Sequence, residues 1–207
     1  MTPTPGSAPT AEREPRKPPA GTPLIVIDML NRYEHEDAEP LVEAVGEAMG
    51  AICGLIERAH REAVPVVYVN DNYDDWTAGG SELCRRALDG AHPELIEPLL
   101  PLRASAFLTK ARHSVFYETQ LEYALRRMEV RRVVLAGQVT EQCILYSALD
   151  AYVRHYEIVV PRDAVAHIHR DLADAALSMM ETNMRARIIN ADALFAEASP
   201  SASRMLR

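Results

Sequence analysis

The sequence predicts an α/β protein: a three-layer α/β/α arrangement around a doubly wound, mainly parallel sheet. Two observations predict it. Short apolar runs alternate with longer segments whose apolar residues recur at helical spacing, as in strand–helix–strand units with parallel strands. The runs are apolar at successive rather than alternate positions, as in Leu24-Ile-Val-Ile and Val133-Val-Leu-Ala. That suits strands covered by helices on both faces.

The elements follow in order. Leu24 to Asp28 is the first strand. Glu39 to Glu62 is a helix with Leu41, Val45, Met49, Ile52, Ile56 and Ala59 on one face. Val64 to Val69 is the second strand, with Pro65 near its start, where a missing N–H is tolerated. Asn70 to Gly80 is a polar, aromatic loop ending in two glycines. Ala104 to Lys110 reads as the third strand. Thr119 and Glu122 have capping-box spacing and open a helix over 119–128. Its apolar face is Leu121, Ala124, Leu125 and Met128. Val133 to Ala136 is the fourth strand, broken by Gly137. After a short polar turn, a helix runs from Cys143 to His155. Glu157 to Val160 is the fifth strand, and Asp171 to Arg187 the last long helix. No internal repeat is visible.

At 207 residues the chain suits one domain with a full hydrophobic core, expected over residues 21–197. Met1 to about Ala20 is rich in Pro, Ala and Thr and lacks the apolar segment of a secretory signal. It is expected to be a disordered tail, and residues 198–207 a frayed one. The net charge of −8, with no basic block, argues against nucleic-acid binding. No apolar stretch approaches the roughly 20 residues that span a bilayer. The three cysteines, Cys53, Cys84 and Cys143, are far apart and show no zinc-ligand spacing. Reduced thiols in a cytoplasm are the simplest reading.

Chemically useful side chains stand at the carboxyl ends of three strands. Asp28 closes the first, Lys110 closes the third and Cys143 follows the fourth. Each has an ordinary reading: a turn residue or cap, a solvated charge, a small buried hydrophobe. Together they lie on the sheet edge where open α/β folds bind ligands. A thiol at a helix start is also expected to have a lowered pKa, because the helix dipole favours the thiolate. Asp28 is placed to take the thiol proton, and Lys110 to stabilise the thiolate.

These stretches carry a family resemblance. Ile25-Val-Ile-Asp28, Lys110-Ala-Arg-His-Ser-Val-Phe116 and Gly137-Gln-Val-Thr-Glu-Gln-Cys143 resemble the isochorismatase-like cysteine hydrolases. That family includes nicotinamidases, N-carbamoylsarcosine amidase and streptothricin hydrolase. The likeness extends over roughly Pro23 to Asn190, with Ala148-Leu-Asp-Ala-Tyr152 and Asp163-Ala-Val-Ala166 as further matches. The resemblance implies an Asp28–Lys110–Cys143 triad and a cis peptide just before Val139. It also implies an oxyanion hole formed by the N–H groups of Val139 and Cys143. The implied reaction is hydrolysis of a small amide, lactam or N-carbamoyl C–N bond through a thioester, without a cofactor. Two alternatives remain open: an Asp/Lys hydrolase of isochorismate type, and a silent member that binds a small ligand or partner. A homodimer or homotetramer is expected from the family.

The chain also departs from the family. Nicotinamidases carry a metal site soon after the second strand, with an Asp-x-His. Here Asp71 matches the Asp, but Tyr73 stands where His is expected, and no His lies between His60 and His92. No metal is therefore expected, and nicotinamide is a poor substrate guess. The first motif is often Asp-x-Gln-x-x-Phe; here Leu30 replaces the Gln and Tyr33 the Phe. Tyr33, Trp76, Phe116 and Tyr117 lie near the three motifs and are candidate substrate-pocket walls, with ordinary packing as the competing reading.

Overall fold

The computed structural model describes residues 22–196; the tails expected at 1–20 and 198–207 fall outside the described residues. Seven parallel strands form one sheet: β1 (Leu24–Ile27), β2 (Val66–Asp71), β3 (Ala106–Lys110), β4 (Arg132–Gln138), β5 (Glu157–Pro161), β6 (Val165–Ala166) and β7 (Arg187–Ile189). Their order is β3-β2-β1-β4-β5-β7, with β6 beside the end of β4. The helices are α1 (Ala38–Arg61), α2 (Gly80–Leu88), α3 (Pro93–Ile96), α4 (Leu121–Arg127), α5 (Leu145–Val153), α6 (Arg170–Met184) and α7 (Ala191–Ala196).

The successive apolar residues of each strand explain the three layers. Leu24 and Val26 of β1 face the core under α1, while Ile25 and Ile27 face the core under α4, α5 and α6. On the first side Leu41, Val45, Ile52 and Ile56 of α1 close the layer. On the second, Leu121, Leu125, Ala148 and Met180 do so. The doubly wound α/β expectation therefore holds.

Several details differ from the sequence reading. Gly137 does not break the fourth strand: β4 runs on to Gln138, and Gly137 pairs with both Ile27 and Val165. The next helix does not begin at Cys143. A π-helical turn, Thr140–Ile144, carries the cysteine and leads directly into α5. The capping box before α4 does not form. The Thr119 hydroxyl accepts the Leu121 N–H at 3.2 Å and donates to the Val115 carbonyl instead. α2, α3, α7, β6 and β7 had no visible pattern. α2 buries only Leu83 and Ala87, too few apolar positions to reveal a period, and β6 and β7 are two and three residues long. No helix among the described residues is long and apolar enough to cross a membrane.

Candidate active site

The strand order reverses between β1 and β4. The chain winds outward from β1 through β2 to β3, and from β4 through β5 to β7 on the other side. Such a reversal leaves a crevice at the carboxyl ends of the two central strands. Asp28 directly follows β1, and Cys143 lies in the turn after β4. Lys110 ends β3, two strands from β1, and its side chain passes the end of β2 to reach them. Its Nζ lies 2.8 Å from Asp28 Oδ2 and 3.5 Å from Cys143 Sγ. A third contact, 3.6 Å to Asp71 Oδ2, completes its surroundings. Asp28, Lys110 and Cys143 are 8 %, 2 % and 8 % exposed, so the charges interact with little solvent between them.

The backbone around Asp28 is held on every side. Its φ of 55° is left-handed, a region aspartate tolerates better than most residues. Its N–H donates to Val69 O at 3.1 Å, and its Oδ1 accepts the Asp71 N–H at 2.8 Å. Its carbonyl accepts Gln138 Nε2 at 2.6 Å, while Gln138 Oε1 accepts the Tyr33 hydroxyl at 3.3 Å. Buried Asn70 secures the following turn, accepting from Leu30 N and donating to Leu30 O. These groups leave one carboxylate oxygen for Lys110 and the thiol.

The turn bearing Cys143 is tied to the segment before α6. Thr140 Oγ1 donates to Ala166 O at 2.8 Å, and Glu141 Oε1 accepts the N–H groups of Ile168 and His169. The Gln138–Val139 peptide bond preceding this turn is cis.

Burial dominates the electrostatics. It pushes the Asp28 carboxyl above the ordinary aspartate range, against the opposing pull of Lys110. It also pushes the Cys143 thiol well up, reinforced by Asp28 and opposed by Lys110. The lowered thiol pKa expected of a helix start is therefore corrected: desolvation and the neighbouring carboxylate outweigh the Lys110 ammonium. For Lys110, burial works against the ammonium, but Asp28, Cys143 and Asp71 outweigh it and its pKa is raised. Burial thus opposes ionisation of both Asp28 and Cys143, while the neighbouring acids favour the Lys110 ammonium.

Lys110→Met is expected to destabilise the fold by about 3–5 kcal/mol, because it leaves Asp28 buried without its cation. Losing that cation raises the Asp28 pKa further. A raised carboxyl favours folding below its unfolded pKa and loses that advantage as pH rises through the folded value. The deficit should therefore be larger at neutral pH than in acid, as urea unfolding at the two pH values would reveal.

The structure brings Asp28, Lys110 and Cys143 into contact. It treats the candidate walls differently. Tyr33 is buried, 3 % exposed, and braces Gln138 rather than lining an opening. Phe116 is 5 % exposed and stacks on Tyr156 at 6.0 Å, with Arg154 over its ring, so it belongs to the core. Trp76 and Tyr117, 76 % and 53 % exposed, lack the enclosure of a pocket wall.

Sequence reasoning missed Asn70, Gln138 and His113, and it weighed Asp71 only as the match to a metal-site Asp, not as a partner of Lys110. Asp71 and Lys110 are register partners in the β2–β3 pair, which the strand pattern alone does not specify. His113 Nδ1 lies 3.7 Å from Cys143 Sγ; its place inside the Lys110–Phe116 motif was the available signal. Beside the Asp28 turn, a cleft of about 360 Å³ is lined by Leu30, Asn31, Arg32, Tyr73, Leu83 and Arg86, among others.

The loop after β2 does not fit a metal. Asp71 Oδ1 accepts the Tyr73 N–H, its Oδ2 faces Lys110, and the Tyr73 hydroxyl donates to Leu30 O at 3.0 Å. Among the described residues, no group of three or more His, Cys, Asp or Glu is arranged to hold an ion.

Comparison with known proteins adds to this geometry. The family model described as the isochorismatase domain matches residues 22–193. The isochorismatase family protein YaaI of Bacillus subtilis is 33% identical over 165 residues, covering 80% of this chain and 91% of its own. Ureidoacrylate amidohydrolase RutB of Caulobacter vibrioides is 28% identical over 192 residues, covering 79% of this chain and 85% of its own. The crystal structure of N-carbamoylsarcosine amidase from Thermoplasma acidophilum superposes with a TM-score of 0.65 at 29% identity, covering 83% of this chain and 98% of that one.

Proposed function

The chain belongs to the isochorismatase family, and on that premise we propose that it is a cysteine-dependent hydrolase of small C–N bonds in amides, lactams or N-carbamoyl groups. One observation carries the reading: the Lys110 ammonium bridges the Asp28 carboxylate and the Cys143 thiol in a site largely closed to water. Relatives named amidohydrolase and amidase support it.

In the proposed reaction, Asp28 accepts the thiol proton as Cys143 Sγ attacks the carbonyl carbon. The raised carboxyl makes Asp28 a stronger base than an ordinary aspartate, which helps it take a proton from a thiol that burial keeps neutral. Lys110 neutralises the charge passed between them. The N–H groups of Val139 and Cys143 receive the oxyanion. The C–N bond breaks as Asp28 returns its proton to the leaving nitrogen, and a thioester remains on Cys143. Water then attacks the thioester, Asp28 takes the water proton, and the C–S bond breaks to release the acid. The proton returns to sulfur.

Asp28 must be ionised for the first step. Because its pKa is raised, the acid limb of kcat/KM should lie above the ordinary aspartate value, and kcat/KM should fall with the protonated fraction below it. An acid limb at the ordinary value or lower would contradict this assignment. The function itself is tested with a panel of primary amides, N-carbamoyl acids and lactams, following ammonia release or ring opening. Turnover of a panel member is expected. Hydrolysis confined to the vinyl ether isochorismate, and retained in Cys143→Ala, would instead establish the Asp/Lys reading.

A further inference from the structure

We infer that His113 is a further catalytic residue, one that donates its Nδ1–H to the Cys143 sulfur as the thiolate forms. The imidazole Nδ1 lies 3.7 Å from Sγ, within reach of a sulfur hydrogen bond. Lys110 approaches the sulfur from inside the fold, whereas His113 is solvent-exposed and approaches from the mouth. The charged and titratable groups at the sulfur are thus Asp28 from the end of β1, Lys110 from β3, and His113 from the segment after β3, with Asp71 acting through Lys110. Asp28 removes the proton and Lys110 supplies one donor. Burial opposes the sulfur anion most strongly, so a second donor has a large effect there.

The imidazole is held in place by the helix that follows the nucleophile. Its ring stacks on Tyr146 of α5, with centroids 5.3 Å apart and planes inclined by 25°. Two residues further on, the Val115 N–H donates to the fully buried Ser147 Oγ of the same helix at 3.0 Å. The segment carrying His113 is thereby fixed to the element that follows Cys143. A loop residue held by stacking and a buried hydrogen bond keeps its geometry from one turnover to the next.

The inference rests on Cys143 being the nucleophile, and alkylation reads the thiol without any substrate. Cys143 alkylation by iodoacetamide at neutral pH is therefore compared in wild type, His113→Phe and His113→Asn by peptide mass mapping. Phe keeps a ring that stacks on Tyr146 but has no N–H; Asn loses the ring but sets a side-chain amide near the Nδ1 position. Loss of one hydrogen bond to a developing charge should slow His113→Phe about tenfold, with His113→Asn within about threefold of wild type. Cys53 and Cys84 are internal controls and should react alike in all three proteins. The inference is overturned if His113→Phe reacts as wild type does, or if His113→Asn is as slow as His113→Phe. The latter result would make the stacked ring, not the N–H, the contribution. If no amide is turned over yet the alkylation order holds, the hydrolase reading fails and with it the catalytic role of His113, while its N–H donation to the Cys143 sulfur stands.

Discussion

Cys143→Ala is expected to lower kcat by about 10⁴–10⁶-fold, the scale at which nucleophile removal leaves only binding and oxyanion stabilisation. The stability should fall by only about 0.5–1.5 kcal/mol, the scale of deleting one buried heavy atom, because the substitution removes a single sulfur and leaves the Asp28–Lys110 pair intact. Ammonia release and thermal unfolding measured on one preparation separate the two effects. Full activity in Cys143→Ala would exclude the thioester route, and an unfolded protein would show that the thiol is structural.

Gly137→Ala should have the largest effect on the fold itself. Gly137 has φ +118°, a conformation that L side chains rarely adopt, and a Cβ there would stand 2.2 Å from Ile27 O and 2.8 Å from Ile27 N. Both are backbone atoms of the adjacent strand, so no side chain can rotate away. β4 would have to part from β1 at the point where those strands present Asp28 and the Cys143 turn. The cost should exceed the roughly 1–3 kcal/mol of ordinary strained-backbone or overpacking substitutions. Urea unfolding checks the loss of stability. A Gly137→Ala protein with wild-type stability would mean that β1 and β4 are not packed as closely as described.

The meeting of Asp28, Lys110 and Cys143 was legible because each closes or follows an apolar run, and the motif around each is local in sequence. The same holds for the layers, since successive apolar residues require cover on both strand faces. Other features depend on pairing. Asp71 joins the site only because β2 lies between β1 and β3 with Asp71 opposite Lys110. Gln138 braces Asp28 across 110 residues of sequence. Nearness to a motif likewise failed to reveal direction. Phe116 follows the lysine motif closely, yet the Val115–Ser147 and Phe116–Ser114 hydrogen bonds turn the chain inward and commit its ring to the core. His113, three residues after Lys110, is left facing the sulfur. The pKa reasoning failed for a similar cause. Helix-start position is readable from sequence, but the burial that raises the Cys143 thiol arises from the assembled crevice.

Mass spectrometry of the intact protein, quenched during turnover of a hydrolysed amide, tests the central claim most directly. The account predicts a transient mass increase equal to the acyl group, mapped to the peptide containing Cys143 and absent in Cys143→Ala. Turnover without an adduct on that peptide, at quench times that resolve a single cycle, or an adduct mapped to any other residue, would contradict it.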